Sequence, residues 1–289
     1  MKYVFAGNRA FVFKQMLKLN CDFAGIFAVD NSFLEKELKA LNLNYKIIHN
    51  KQSLIEDIMK LEFDCFVSNG CPFILPVSQM KKDHQLFINV HPSLLPDLRG
   101  KHPVNGAILF GRKHGVTCHH MDDGIDTGSI ISSLEVPITQ EIDLALLYQL
   151  TFIAEGEVFK LAYNQSFKAG SILNNVTDSI YYTRKKEDVL ITKDHTLGEV
   201  LLKIRAFGIA SIGAKFFRDG KEYKIIKATT INKDGLDVLF KEYKDNQVVC
   251  AYDSNVVVKF RTCFVQFNMM DATGINPGDD FFGFRLKET

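Results

Sequence analysis

The run KYVFAGNRAFVFKQMLKL, residues 2–19, decides the fold. Lys2 to Ala6 reads as a short apolar strand, Gly7-Asn8-Arg9 as a turn, and from Phe11 to Leu19 apolar residues recur at helical spacing. The same unit repeats outward. Strands are predicted at Phe23 to Val29, Asn44 to Ile48, Cys65 to Ser68 and Leu86 to Val90, and a helix at Ser32 to Leu41, with Asp30, Asn31 and Ser32 available to cap it. Strands alternating with helices form βαβ units, so the first half is an α/β, Rossmann-like doubly wound domain on a mostly parallel sheet.

Further along, Gly115 to Met121 and Ser129 to Val136 read as two more strands. Glu141 to Phe167 reads as one long helix, with Leu144, Leu147, Leu150, Ile153, Val158 and Leu161 directed at the sheet. A polar, turn-rich stretch from Lys168 to Lys193 follows, then a helix from Thr196 to Phe207. The remaining β-rich sequence is broken at Asp219-Gly220, Asp234-Gly235 and Pro277-Gly278. The expected division is a catalytic domain at 1–190 and a smaller β-rich C-terminal domain at 191–289, either an OB-like barrel or a dimerisation subdomain.

Composition narrows the class. Of 289 residues 46% are apolar, enough for a sizeable core. The N-terminus lacks an uninterrupted apolar core and a small-residue cleavage site, and no run of about 20 apolar residues could span a bilayer, so a cytoplasmic protein is expected. Six scattered cysteines without a CxxC pair are those of a reduced compartment. With 35 basic and 34 acidic residues the net charge is +1, which gives no general attraction to nucleic acid or membrane.

Candidate chemistry starts at Leu86-Phe87-Ile88-Asn89-Val90-His91-Pro92. Side chains alternate along a strand, so Phe87, Asn89 and His91 share a face, and Pro92 ends the strand. In an open parallel sheet ligands bind beyond the carboxyl ends of the strands, where Asn89 brings an amide donor and His91 a titratable ring. His119 and His120 are adjacent on a strand and point to opposite faces, one into the site and the other into packing. His102 precedes a helix and either lines an acceptor pocket or is a loop histidine. No His, Cys, Asp or Glu cluster has structural zinc spacing, so no metal is expected. The turn at Gly7-Asn8-Arg9 is not the GxGxxG fingerprint, so no dinucleotide is expected either.

Asn89-Val90-His91-Pro92-Ser93-Leu94-Leu95-Pro96, then Arg99-Gly100, Gly115-Val116-Thr117 and Ile125-Asp126-Thr127-Gly128, resembles the signature of the N10-formyltetrahydrofolate-dependent formyltransferases. That resemblance implies a catalytic set of Asn89, His91 and Asp126. It also implies a folate site at Ser93, Leu94, Leu95 and Pro96 and at Met121, Asp122, Asp123, Gly124 and Ile125. The formyl donor would be N10-formyltetrahydrofolate. Chemically the set suits acyl transfer: Asn89 and a protonated His91 would donate to an oxyanion, and Asp126 would orient the imidazole or a water and raise the imidazole pKa.

Ser68 to Pro76 and Gly100 to Gly106 look most like the bacterial sugar N-formyltransferases. This implies a nucleotide-linked, dTDP-type, dideoxy amino sugar as acceptor, a product destined for O-antigen or another surface glycan, and a homodimer. Asn8, Arg9, Lys101 and His102 are the candidate acceptor contacts, with a helix cap and a solvated arginine the alternative at Asn8 and Arg9. A methionyl-tRNA formyltransferase is the second reading. Against it, Lys203, Arg205, Lys215, Arg218, Lys221, Lys224 and Lys227 are offset by acidic residues downstream, where tRNA binding calls for a basic footprint. A formyltetrahydrofolate hydrolase and an inert folate or nucleotide binder stand as readings of another class. The retained triad speaks against the binder, and the absence of an extra N-terminal segment against the hydrolase.

Overall fold

Strand β1 (Lys2–Gly7) is buried from Tyr3 onward on both faces, the burial of a central parallel strand with helices above and below. In the computed structural model, which describes residues 1–170, 177 and 179–288, it is followed by α1 (Phe11–Lys18), β2 (Asp22–Ala28), α2 (Phe33–Ala40), β3 (Lys46–Ile47), α3 (Lys51–Met59) and β4 (Cys65–Asn69). Then come α4 (Val77–Met80), β5 (Leu86–His91), α5 (Pro103–Leu109), β6 (Gly115–His120), β7 (Ile130–Glu135) and α6 (Leu144–Asn164). Sheet order is β3-β2-β1-β4-β5-β6-β7. β3 to β5 in that order pair parallel, while β6 runs antiparallel to both β5 and β7. The mostly parallel, doubly wound sheet expected from the sequence is therefore present.

The chain leaves β1 toward β2 on one side and returns to β4 on the other, so the topological switch point lies at the carboxyl ends of β1 and β4. There the two backbones nearly touch. A Cβ at Gly7 would run into the carbonyl of Asn69, and one at Gly70, where φ is +75°, would meet the Asn8 side chain. Glycine is required at both positions for steric reasons.

Helix boundaries follow local chemistry. Ser32 caps α2 by accepting from the Glu35 N–H at 3.1 Å, as its place before the helix suggests. The phase of α6 differs from expectation. Leu144, Leu147 and Val158 are buried, but Ile153 and Leu161 are about half exposed, and the inward stripe continues instead through Thr151, Ala154, Glu155, Phe159 and Ala162. Counting apolar residues alone mislaid this face because two of its inward positions are polar.

One of these, Thr151, donates to the Leu147 carbonyl at 2.6 Å and leaves its oxygen to accept from Nε2 of buried His114 at 2.8 Å. The neutral ring satisfies that geometry, and burial lowers the His114 pKa to about 4. A histidine depressed in this way stabilises the fold above its unfolded pKa and loses that contribution as the pH falls toward 4.

The compact units divide between Thr183 and Arg184, where the sequence placed the change at 190–191. One comprises Met1–Ala107, Arg112–Thr139 and Leu147–Thr183; the other comprises Ile108–Gly111, Gln140–Leu146 and Arg184–Thr289. The turn-rich stretch expected at Lys168 to Lys193 falls in part on 171–176 and 178, outside the described residues.

The second unit holds α7 (Leu197–Phe207), closed by a capping box between Thr196 and Glu199, and a five-stranded antiparallel sheet. Its strands are β8 (Ala214–Arg218), β9 (Lys221–Ile231), β10 (Val248–Tyr252), β11 (Asn255–Lys259) and β12 (Phe264–Met269), with α8 (Leu236–Leu239) between β9 and β10. Their order is β10-β11-β12-β9-β8, with β10 and β8 at the two ends. Asp219-Gly220, both at positive φ, makes the tight β8–β9 turn. The core is aromatic: Phe267 stacks on Phe281 at 4.8 Å, and Phe281 meets Phe282 edge-on at 4.7 Å. No helix among the described residues is long and apolar enough to cross a membrane.

Comparing chemical unfolding of the wild type and His114→Gln at pH 7 and pH 4 checks the His114 assignment. The wild type is expected to lose roughly 3 kcal/mol more than the variant over that interval.

Candidate active site

Strand β5 carries Phe87 into the core, where its ring lies 5.1 Å from that of Phe66, and two and four residues later presents Asn89 and His91 at the strand's carboxyl end. Opposite, β6 brings His119 into register with Asn89, next to a register shift at Cys118/His119 in the β6–β7 ladder. His119 Nδ1 donates to the His120 carbonyl at 2.7 Å, so its Nε2 is the acceptor for Asn89 Nδ2 at 3.2 Å. Of the two adjacent histidines, His119 is the one that lines the site.

The loop after β6 delivers Asp126. Asp122 accepts from the Gly124 N–H at 3.0 Å and the Thr127 hydroxyl at 2.6 Å, folding the loop on itself, and Asp126 follows at φ +55°. Its Oδ1 accepts from Asn89 Nδ2 and its Oδ2 from the Gly100 N–H, both at 3.2 Å. His91 Nδ1 lies 3.5 Å from Oδ2, and His119 Nε2 lies 3.6 Å from Oδ1. One carboxylate thus gathers an amide, two imidazoles and a backbone N–H.

Protonation follows from these contacts. Burial opposes the Asp126 charge, but the attraction of the His91 and His119 rings when they carry a second proton, together with the Gly100 N–H, holds its carboxyl well below the usual range. Burial lowers the His91 pKa and outweighs the attraction of Asp126 and the Leu98 carbonyl. That carbonyl, 3.1 Å from Nε2, selects the Nε2–H tautomer, which leaves Nδ1 as an acceptor facing Asp126. The sequence suggested a protonated His91 and a free Asn89 amide as oxyanion donors. In the resting structure the His91 N–H is held by Leu98, and Asn89 Nδ2 is held by Asp126 and His119.

The cluster opens into a cleft of about 420 Å³ whose far wall is apolar, with Phe73, Ile74, Leu75, Met121 and Ile125. Asp122 and Gly124 also line it. A flat heteroaromatic ring bearing N–H groups, such as a pterin, fits apolar walls set beside carboxylates. Other residues expected at the folate are elsewhere. Asp123 turns away and accepts from the Ser78 N–H at 3.0 Å. Ser93 and Leu95 are buried, and neither they nor Leu94 and Pro96 line the cleft. The cause is Thr117, which donates to the Ser93 carbonyl at 2.7 Å and accepts from the Leu95 N–H at 3.1 Å, drawing this loop onto β6.

A second cavity of about 340 Å³ shares Asn8, Arg9, Pro92, Lys101 and His102 with the cleft, so all four candidate acceptor contacts stand at the shared wall. Its other lining includes Lys36, Phe33, Tyr148 and Phe152. Among the described residues, no group of three or more His, Cys, Asp or Glu could hold a metal ion.

A doubly wound α/β sheet with an amide, an imidazole and a carboxylate converging beyond its strand ends defines a ligand-binding α/β domain equipped for proton transfer. Residues 32–162 match the formyl transferase family model. A curated relative, the methionyl-tRNA formyltransferase of Syntrophus aciditrophicus, is 31% identical over 185 residues, covering 63% of this chain and 59% of the relative. The chain thus spans about three fifths of the length of the curated relatives it matches first. Two solved structures share the fold over nearly the whole chain. The sugar 3N-formyl transferase WlaRD, solved with dTDP and 5-N-formyl-THF, aligns at TM-score 0.67 and 23% identity, covering 94% of this chain and 98% of that one. The N-formyltransferase of Helicobacter canadensis, solved with folinic acid and dTDP-3-aminofucose, aligns at TM-score 0.68 and 21% identity, covering 93% and 99%.

The His91–Asp126 coupling can be read directly. Asp126→Asn removes the attraction that raises the proton affinity of His91, so the ring's pKa in an NMR titration is expected to fall further; an unchanged titration would show that the two groups do not interact.

Proposed function

We propose that this protein transfers a formyl group from N10-formyltetrahydrofolate to the primary amine of a nucleotide-linked, dTDP-type, dideoxy amino sugar. The observation that carries this is the gathering of Asn89, His91 and His119 on the Asp126 carboxylate at the edge of the cleft.

Attack of an amine on the formyl carbonyl needs a base for the amine proton and donors for the charge that grows on the carbonyl oxygen. At neutral pH the His91–Asp126 pair is an imidazole facing a carboxylate, and the space between Nδ1 and Oδ2 accepts one proton. Taking that proton neutralises part of the charge that binds the Asn89 amide. An Asn89 N–H is then released toward the developing oxyanion, so proton uptake and oxyanion stabilisation occur together; as the tetrahedral intermediate collapses, the bond from the formyl carbon to N10 breaks, N10 takes the proton held by the pair, and tetrahydrofolate leaves. His119 keeps the amide in plane as its second acceptor. The apolar wall of the cleft would take the folate ring, and the second cavity, with Arg9, Lys36 and Lys101 beside Phe33 and Phe152, would take a charged nucleotide.

The competing acceptor is methionyl-tRNA, the substrate in the names of the curated relatives. Charge pairing in the second unit supports the sugar. Lys215 meets Glu222 at 3.2 Å, Arg218 meets Asp279 at 3.0 Å and Lys221 meets Asp271 at 3.0 Å, which reduces the free positive charge available to a phosphate backbone. A carbohydrate product made this way would serve a surface glycan.

Asn89→Ala and His91→Ala are each expected to lower formyl transfer by a factor on the order of 100 or more with unchanged thermal unfolding. Near wild-type turnover in both would overturn the catalytic assignment. Offered N10-formyltetrahydrofolate with either a dTDP-amino sugar or methionyl-tRNA, the enzyme is expected to formylate the sugar as read by mass spectrometry. Formylation of the tRNA alone would overturn the acceptor.

A further inference from the structure

Glu155 is the one inward carboxylate of the α6 stripe, and its side chain is fully buried. Its Oε1 lies 3.0 Å from Arg9 Nε, yet neither of these atoms, nor Oε2, closes an aligned hydrogen bond. Arg9 itself is 16% exposed. One terminal nitrogen lies 3.5 Å from the Val90 carbonyl, which also accepts from Asn69 Nδ2 at 3.2 Å, and the guanidinium stands 5.8 Å over the Phe152 ring. The guanidinium is therefore fixed at the wall between the two cavities with an unexposed anion directly behind it.

We propose that Glu155 is a positioning residue that sets the effective charge of Arg9, and that an anionic acceptor group arriving at Arg9 drives proton uptake by Glu155. This rests on the acceptor reading given above and adds a proton to its binding equilibrium. While Glu155 is ionised, the pair is neutral and a diphosphate gains little from Arg9. Once Glu155 is protonated, the guanidinium presents its whole charge. By linkage the reverse holds: an anion that competes for Arg9 raises the proton affinity of the carboxylate.

The surroundings permit this. From the β1–α1 turn the charged group facing Glu155 is Arg9, and from β4 it is approached by the neutral Asn69 amide; on α1 the neutral Gln15 lies against the adjoining Gly156. His91, on β5, senses the Arg9 charge but does not touch Glu155. Burial pushes the Glu155 carboxyl up to about 7, with Arg9 and Asn69 opposing, so the proton exchanges near neutral pH.

The probe is dTDP-glucose, whose diester phosphates stay ionised across this range and which lacks the reacting amine. Calorimetric titration of the full chain at pH 7 in buffers of different ionisation enthalpy is expected to show uptake of a fraction of a proton. The Kd is expected to rise about tenfold from pH 6 to pH 8. In Glu155→Gln, checked by thermal unfolding, the uptake and the pH dependence should both vanish, while Arg9→Ala should bind weakly with no uptake. If Glu155→Gln does not fold, the carboxyl carbon of Glu155 in the wild type, followed by NMR with and without probe, reports the same proton. Sulfate, which does not titrate here, is the second probe. Proton uptake with sulfate but no binding of dTDP-glucose would support the Glu155 role and overturn the nucleotide-sugar acceptor. Binding of dTDP-glucose without uptake, or with uptake that survives Glu155→Gln, would overturn the Glu155 role and leave the acceptor standing. Absence of binding by both probes would overturn both.

Discussion

The Asp126 carboxylate is the contact on which the site depends. It is largely buried, which in isolation would be costly, and its charge is tolerated because Asn89 and the Gly100 N–H donate to it while His91 and His119 lie within 3.6 Å. Those partners come from β5, β6 and the loop before α5, so no single element carries the centre. The antiparallel β5–β6 pairing appended to the parallel sheet is what brings His119 opposite Asn89. A site assembled this way is stiff, because each polar group already has a defined partner before any ligand arrives.

Much of the fold was legible in the sequence because it is written in short-range patterns. Alternation along Leu86 to His91 predicted that Asn89 and His91 share a face, and Pro92 that they stand at a strand end. Asp219-Gly220 marked a break in the β-rich sequence, and it is the turn between β8 and β9. Where a long-range partner decides the outcome, the pattern is silent. Thr117 pulls Ser93 and Leu95 away from the cleft through two hydrogen bonds, and nothing in the Ser93 to Pro96 run signals this. The pairing of β9 with β12, which links residues far apart in the chain, was equally silent.

Glu155 shows a different limit. In a helix judged by its leucines, a glutamate at an inward position reads as a surface residue, and the half exposure of Ile153 and Leu161 reveals the true phase only once the helix is packed. Asp126 was legible through family resemblance alone, since its positive φ and its turn of hydrogen bonds depend on Asp122 and Thr127. Buried charges are set by partners, and partners are what a linear sequence conceals.

The near contact of the β1 and β4 backbones at Gly7 and Asn69 has a further implication for how such a protein diversifies. At that approach the contact is made by main chain, with no side chain at Gly7 or Gly70 to enlarge or trim. The approach of the two strands at that point is therefore inherited with the sheet and tolerates no added side chain. Variation in what is accepted has to accumulate on the outer wall, at exposed positions such as Phe33 and Lys36, where replacement disturbs neither the strand pairing nor the buried charges.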